Sequence, residues 1–324
     1  MSSPRRPGRR TMVLLSVVIL VVVAGATSLV VTHLRRGPEP LTVRVLVITM
    51  FPLETAPWLA HESLPITHVV PHAPEPLRCA SSGLCVATIG QGKANAATAM
   101  SAILDDDGLD FRDAYFMTAG IAGVSPRAGT LGFAAWARWV VDWDLGHHLT
   151  PRSAPGVPHG YLPLDDQGTN VFHLDDKLVD MAYDLTKTLP LADSPDAVRN
   201  RAQYAGQAAQ KPFTTVCDTV TGDDYWSGVE LSETADYLTG IWTKNQGRYC
   251  TSQMEDNATA TALARHGYLN RYLVLRTASD FDQPYPGQNA KDTVTTFPGA
   301  QPAVDNAYLV GSTVAHHLLT RSPR

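Results

Sequence analysis

Short runs of β-branched and other apolar residues alternate with segments of helical period along most of this 324-residue chain. Such runs are typical of strands buried on both faces, and their alternation with helices predicts an α/β fold. The apolar runs lie at residues 43–48, 84–89, 114–117, 134–141, 214–217 and 272–275. The helical segments lie at residues 94–104, 174–189, 196–210, 229–244, 252–265 and 305–319. Residues 150–168 are rich in Pro, Gly and Asp, and this composition predicts a long loop.

An uncharged apolar segment, residues 11–32, follows a start of the chain that carries four arginines. About 20 apolar residues span a bilayer as a helix, and the heavier positive charge before the segment predicts that the rest of the chain is exported. The sequence Ala24-Gly25-Ala26 fits a signal-peptidase site, so cleavage after Ala26 is an alternative. We favour an uncleaved anchor, because the apolar run continues past that site.

The chain is therefore divided into four parts. They are a basic cytoplasmic segment (1–10), a transmembrane signal anchor or signal peptide (11–34), a linker (35–40) and one large domain (41–324). The main domain is expected outside the cytoplasm, held at the membrane, or secreted if cleavage occurs. With 26 Lys and Arg against 31 Asp and Glu, the net charge of −5 indicates no nucleic-acid partner.

Export makes the four cysteines candidates for disulfide bonds, and four cysteines allow three pairings. We favour Cys79 with Cys85, because the turn-like residues 80–83 between them separate two apparent strands. The pair Cys217 and Cys250 then follows by elimination. Neither pair has the spacing of a zinc site.

A glycine-bearing segment, residues 90–95 (GQGKAN), follows the second predicted strand. It resembles a dinucleotide-binding fingerprint, but Asn95 replaces the third glycine and the next strand lacks an acidic ribose anchor. A tight turn that packs a helix against a strand is therefore favoured over a nicotinamide site.

Carboxylates also follow predicted strands. Glu54 follows the first strand and Asp280 the last, so both could reach one pocket, one as a protonated general acid and the other as the base that activates water. Glu255 has two interpretations. It completes a helix capping box with Ser252, or it binds hydroxyl groups of a ligand.

A cluster of possible metal ligands follows the fourth predicted strand. Its members are Asp142, Asp144, His147 and His148. Carboxylate and imidazole groups are common ligands, but a polar, partly solvated loop is the more frequent context, so no metal site is predicted.

Two segments together resemble the paired signature of the nucleoside phosphorylase and nucleosidase superfamily. They are residues 254–259 (MEDNAT) and 275–280 (LRTASD). Residues 118–123 and 50–54 match its other two sites in the same order, and the exported region, including residues 221–226, is most similar to the purine nucleoside permease family. The resemblance implies a three-layer α/β/α single domain with a central mixed sheet, which binds a purine nucleoside at its strand ends.

The resemblance also implies roles for individual residues. Asp280 would protonate the purine ring, and Glu54 would position or deprotonate the attacking water. The residues around them would be Met254 and Glu255 for the ribose, Ser279, Asp223, Tyr225 and Trp226 for the base, and Ala119, Gly120 and Gly123 on the nucleophile side. Tyr225 and Trp226 have the alternative of filling the core.

Hydrolysis is favoured over phosphorolysis, because residues 50–54 contain no arginine that could bind phosphate and Arg127 is expected at the surface. No metal or organic cofactor is implied. The alternatives are a phosphate-dependent phosphorylase, an uptake component and a non-catalytic nucleoside receptor. A single membrane segment cannot enclose a polar path alone, so direct transport would need a partner or an oligomer, and a homo-oligomer is possible.

Overall fold

The computed structural model describes residues 39–321. The predicted basic segment, the predicted anchor or signal peptide and most of the predicted linker lie outside these residues. Within them, no helix combines the length and the apolar composition that crossing a membrane requires. From Thr42 onward the described chain forms one compact unit.

Strands and helices alternate through the described residues, which confirms the α/β class. The strands are β1 (Leu41–Thr42), β2 (Val45–Thr49), β3 (Ile66–His68), β4 (Leu77–Cys79), β5 (Leu84–Thr88), β6 (Leu109–Asp110), β7 (Tyr115–Val124), β8 (Ala134–Trp136), β9 (Trp139–Asp142), β10 (Gly146–His148), β11 (Tyr161–Pro163), β12 (Val171–His173), β13 (Thr214–Val216), β14 (Asp218–Thr221), β15 (Tyr249–Gln253) and β16 (Tyr272–Phe281). The helices are α1 (Pro52–His61), α2 (Lys93–Leu104), α3 (Asp176–Thr186), α4 (Pro195–Arg201), α5 (Val229–Trp242), α6 (Asp256–Arg265), α7 (Ala290–Thr293) and α8 (Ala300–Leu319).

The central sheet is mixed and has the order β12-β9-β14-β15-β7-β2-β5-β4-β3. Strand β16 pairs in parallel with the other edge of β7, and β8 then pairs antiparallel with β16. On the edge facing away from β16, β7 pairs first with β2 and later with β15. The pairing with β2 ends at Thr118 and that with β15 begins at Gly123, so residues 119–122 lie between two diverging strands. We call this opening the sheet fork.

Strands β7 and β16 are longer than the sequence predicted. The sequence predicted strands only at residues 114–117 and 272–275, yet residues 118–123 and 276–280 continue these strands. Their polar groups are satisfied inside the sheet, since Thr277 donates a hydrogen bond to the carbonyl of Gly120. Glycine and serine are common in turns, and a buried strand can contain them when their polar groups have hydrogen-bond partners.

The predicted helix 252–265 is also shorter than expected, because residues up to Gln253 belong to β15 and α6 begins at Asp256. The predicted capping box does not form. The side-chain oxygen of Gln253 instead accepts hydrogen bonds from the backbone N–H groups of Glu255 and Asp256, at 2.7 and 2.9 Å. The side chain of Glu255 is therefore available for another role.

Two further segments differ from prediction. Residues 134–141 form two strands, β8 and β9, which pair with different neighbours. The expected loop 150–168 contains β11, which pairs antiparallel with β10. A strand of three residues is too short to show the residue pattern by which strands are recognised in a sequence.

Both favoured disulfide bonds are present. Cys79 and Cys85 face each other across the antiparallel pair β4 and β5, as the hairpin argument requires. Cys217 and Cys250 join the start of β14 to the neighbouring β15, and no cysteine is free. The second bond holds the strand that leads into Gln253 and Glu255.

Titration of free thiols in the denatured, unreduced protein is expected to find almost none, because all four cysteines are paired. Reduction should lower the free energy of unfolding by about 3 kcal/mol for the bond that closes the longer loop. Thiol titration and denaturant unfolding with and without reductant measure both effects. Four reactive thiols in a sample that was never reduced would contradict the pairing.

Candidate active site

A cavity of about 340 Å³ opens at the sheet fork. Helix α1, the ends of β15 and β16 and the start of α8 surround it, so it collects residues that are far apart in the sequence. The residues that line it are Met50, Phe51, Leu53, Glu54, Gln91, Ile121, Ala122, Tyr225, Gln253, Met254, Glu255, Arg276, Ser279, Phe297 and Ala300. Five of the eleven residues to which the resemblance gave roles lie on this wall, namely Glu54, Tyr225, Met254, Glu255 and Ser279.

Glu54 lies in the first turn of α1 and projects into the sheet fork. Its two carboxylate oxygens accept hydrogen bonds from the backbone N–H groups of Met50 and Ile121, at 2.7 and 2.8 Å. Burial raises the pKa of Glu54 to about 7, and the positive charge of Arg276 opposes this rise. At neutral pH Glu54 can therefore take up or release a proton.

Arg276 is a site residue that was not predicted from the sequence. Its guanidinium group is buried and donates to both carboxylate oxygens of Asp256, at 2.8 and 2.9 Å, and to Glu255 at 3.1 Å. It also donates to the carbonyl of Ile121 at 2.9 Å. An arginine inside an otherwise apolar strand was the available signal, because a buried charge requires oppositely charged partners.

Glu255 lies between the arginine and the glycine turn that precedes α2. One carboxylate oxygen accepts from Arg276, and the other accepts from the backbone N–H of Gly92 at 3.0 Å. Burial raises the pKa of Glu255, while the charge of Arg276 partly offsets that effect. Residues 90–95 thus form the turn that leads into α2. The backbone N–H of Gly92 in this turn also binds the carboxylate of Glu255.

The charges at the sheet fork disfavour a bound anion. Arg276 is already paired with two carboxylates, and Glu54 lies on the same wall. Arg127, which was expected at the surface, forms an ion pair with Glu233, and its side chain is 59% exposed. Among the described residues, the cavity wall therefore presents no arginine that is free of a carboxylate partner.

Asp280 lies behind the cavity wall. Its carboxylate accepts a hydrogen bond from the hydroxyl of Ser279 at 2.7 Å and from that of Tyr225 at 2.9 and 3.1 Å. Burial raises the pKa of Asp280 to about 7, although these hydrogen bonds lower it. Ser279 and Tyr225 line the cavity, whereas Asp280 is reached through them.

Two glycines of β7 permit this close arrangement. A Cβ atom at Gly120 would lie 2.8 Å from the guanidinium of Arg276 and 2.9 Å from the carboxylate of Glu54. A Cβ atom at Gly123 would lie 2.8 Å from the hydroxyl of Tyr225. Ala119 is buried and does not line the cavity, and Ile121 and Ala122 form that wall instead.

Two of the four predicted base-binding residues lie elsewhere. Asp223 is exposed and accepts a hydrogen bond from the backbone N–H of Lys93 at the start of α2. Trp226 is buried in the core, where its ring stacks on Trp143 with centroids 4.2 Å apart. The core-filling alternative thus describes Trp226, whereas Tyr225 faces the cavity.

The cluster after β9 is held by a lysine. Asp142 and Asp144 both form ion pairs with the ammonium group of Lys93, and His148 stacks on the ring of Trp143. His147 is exposed. Within residues 39–321, no three His, Cys, Asp or Glu side chains come together as a metal site.

The sequence of this chain is similar to those of known proteins. A family model described as purine nucleoside permease matches residues 42–322. A probable purine nucleoside permease of Schizosaccharomyces pombe is 30% identical over 309 residues, which cover 85% of this chain and 89% of the relative. A purine nucleoside permease of Candida albicans is also 30% identical, over 85% of this chain and 75% of the relative.

Solved structures with the same fold include nucleosidases. Futalosine hydrolase of Helicobacter pylori aligns with a TM-score of 0.57 at 14% identity, covering 84% of this chain and 97% of its own. A 5′-methylthioadenosine/S-adenosylhomocysteine nucleosidase from Streptococcus pneumoniae aligns with a TM-score of 0.56 at 16% identity, covering 83% and 97%. At these identities the likeness establishes a shared fold.

Proposed function

The chain belongs to the purine nucleoside permease family, and from that premise we propose that it binds a purine nucleoside in the sheet-fork cavity and cleaves its N-glycosidic bond with water. The observation that carries the proposal is the pair of buried carboxyl groups, Glu54 and Asp280, whose pKa values are both raised to about 7. Such a pair can supply a base and an acid at neutral pH. The nucleosidases among the structural neighbours support the same reaction.

The proposed reaction assigns three roles to residues in and behind the cavity wall. Glu54 orients a water molecule at the sheet fork and takes its proton as the oxygen attacks the sugar carbon C1′. Met254 and Glu255 hold the ribose, because a carboxylate accepts hydrogen bonds from sugar hydroxyls. Asp280 supplies the proton that the departing purine needs, with Ser279 orienting its carboxyl group. Acid and base together lower the barrier to a transition state of oxocarbenium character.

Water is preferred over phosphate for an electrostatic reason. A phosphate at the sheet fork would meet Glu54 and Glu255, and the charge of Arg276 is already shared between two carboxylates. Placing a further anion among buried carboxylates is unfavourable, because charges repel strongly where water is excluded.

We expect the full-length protein, purified in detergent, to release free purine base from nucleosides equally well with and without inorganic phosphate. Chromatographic measurement of the free base and the sugar tests this, because hydrolysis yields free ribose and phosphorolysis yields ribose 1-phosphate. A strict requirement for phosphate would overturn the choice of water. Tight nucleoside binding without any base release would favour a receptor instead.

The dependence of kcat/KM on pH is expected to be bell-shaped with its maximum near pH 7. Glu54 must be ionised, so the rate should rise as the pH increases through the pKa of about 7. Asp280 must be protonated, so the rate should fall as the pH increases through its pKa of about 7. The two apparent values belong to the pair. A flat profile between about pH 5 and about pH 9 would contradict these assignments.

We further propose that residues 11–34 anchor the protein in the membrane, with the nucleoside domain outside the cytoplasm. The support is the uncharged apolar segment after basic residues, together with the relatives named permeases. Carbonate washing of membranes and determination of the mature N-terminus test this. A mature chain that begins after Ala26 would overturn the anchor in favour of secretion.

The names of these relatives also favour a second function, participation in nucleoside uptake. Hydrolysis and uptake can be separated with cells that express either the wild-type protein or Asp280→Asn. The measurement is the uptake of labelled nucleoside by these cells. Uptake that persists in the variant, after base release is lost, would support a binding component. Loss of both would make hydrolysis the step on which uptake depends.

A further inference from the structure

The acid proposed above does not face the nucleoside cavity directly. Asp280 is 2% exposed, and two side chains that contact it, Ser279 and Tyr225, form the wall in front of it. On its other side Asp280 borders a separate narrow gap, which Tyr204 also lines. A proton that leaves Asp280 for a purine in the cavity must therefore pass this wall.

Tyr225 is placed to carry that proton. Its hydroxyl lies 2.9 and 3.1 Å from the two carboxylate oxygens of Asp280. The absence of a side chain at Gly123 makes room for the hydroxyl, since a Cβ atom there would lie only 2.8 Å away. Ser279 already donates to one oxygen of Asp280, so its hydroxyl hydrogen is engaged with the carboxylate. Tyr225 is thus the wall residue that joins Asp280 to the cavity.

A tyrosine hydroxyl can accept one proton while it donates another. Burial, followed by the negative charge of Asp280, raises the pKa of Tyr225 well above its usual value, so the hydroxyl keeps its hydrogen at neutral pH. When Asp280 is protonated, the same contact can run in the other direction, with the carboxyl group donating to the phenol oxygen. The phenol hydrogen is then free to point toward the cavity.

This inference rests on the proposed hydrolase function and adds a residue to it. We propose that Tyr225 is a further catalytic residue, whose hydroxyl donates its proton to the departing purine and is reprotonated by Asp280. The C1′–N bond breaks and its electron pair stays on the purine. The phenol O–H bond breaks as the purine N–H bond forms, and the carboxyl proton of Asp280 restores the phenol. Asp280 becomes a carboxylate, while water delivers hydroxide to C1′ and its proton to Glu54.

The competing role for Tyr225 is a cover that must turn away before Asp280 can meet the purine. The two roles predict opposite effects of removing the hydroxyl. A relay loses its proton carrier, whereas a cover loses only the hydrogen bond that keeps it closed. Tyr225→Phe therefore distinguishes them. Tyr204→Phe is the matched control, because Tyr204 is a buried tyrosine beside Asp280 whose hydroxyl donates to the carbonyl of Gln283.

We expect Tyr225→Phe to reduce the single-turnover rate of purine release by about 100-fold or more, with nucleoside affinity changed by no more than about threefold. Tyr204→Phe should keep a rate close to wild type. A nitrophenyl riboside, whose leaving group needs no proton, should be cleaved by Tyr225→Phe at nearly the wild-type rate. Release of purine by Tyr225→Phe at the wild-type rate or faster would overturn the relay and leave the cover.

A second substitution covers the case in which Tyr225→Phe does not fold. Replacing Tyr225 with a ring-fluorinated tyrosine keeps the hydroxyl and lowers its pKa, so a relay requires the pH profile of purine release to shift. An unchanged profile would overturn the proposal. A wild-type protein that releases no base from any nucleoside would instead overturn the hydrolase function itself, and the relay with it.

Discussion

Replacing Asp280 with asparagine is expected to reduce the rate of base release by about 100-fold to about 10,000-fold, with little change in nucleoside affinity. An amide keeps the size of the carboxyl group and can still accept from Ser279 or Tyr225, but it cannot supply a proton to the leaving purine. Single-turnover kinetics and equilibrium binding of a nucleoside separate the two quantities. The substitution thus removes the acid while leaving the cavity wall in place.

A surface residue provides the control for this experiment. Asp180 lies on α3, where it pairs with Arg138 and its side chain is 61% exposed, so Asp180→Asn should keep the wild-type rate. Thermal melts of both variants establish that they are folded. Near-wild-type turnover by folded Asp280→Asn would remove Asp280 from the mechanism and leave it as a structural residue of β16.

Replacing Arg276 with methionine is expected to lower the free energy of unfolding by about 3 to 5 kcal/mol. The substitution leaves Glu255 and Asp256 buried without their cation, and it also removes a donor to the carbonyl of Ile121. For a domain of this size the melting temperature should fall by about 10 °C. Denaturant unfolding and thermal melts give the two measurements.

Two further variants test the physical reason for that loss. Adding Asp256→Asn to Arg276→Met should recover part of the lost stability, because one of the two unpaired carboxylates is removed. Arg127→Met should change stability by less than about 1 kcal/mol, since its ion pair with Glu233 is exposed to solvent. An Arg276→Met variant as stable as wild type would contradict the account of the buried ion pairs.

The parts of the fold that were predicted correctly depend on neighbours in the sequence. Runs of β-branched residues become strands because each residue of the run is buried in the sheet, as in β2. The pair Cys79 and Cys85 follows from one hairpin. Residues 254–259 and 275–280 carried the family resemblance as short ordered motifs, and the family model that spans residues 42–322 agrees with it.

The strand lengths could not be predicted in the same way. Residues 118–123 and 276–280 contain glycine, serine and aspartate, which are common in turns, and the charged residue Arg276. They extend β7 and β16 because their polar groups have partners on other elements. Arg276 donates to Asp256, and the backbone N–H of Ile121 donates to Glu54. Local patterns contain no information about such distant partners.

Three neighbours in the sequence show most clearly what the sequence determines and what the tertiary structure decides. They are Asp223, Tyr225 and Trp226. The sequence by itself placed all three beside the motifs of a nucleoside site and determined the α/β class, the disulfide pairs and the candidate carboxylates. Only the tertiary structure separated the three residues. Asp223 accepts a hydrogen bond from the first residue of α2, Trp226 stacks on another tryptophan in the core, and Tyr225 donates to Asp280. The physical reason is that each side chain takes its position from residues far away in the chain, where a glycine leaves room, an aromatic ring offers a stacking surface or a buried carboxylate needs a donor.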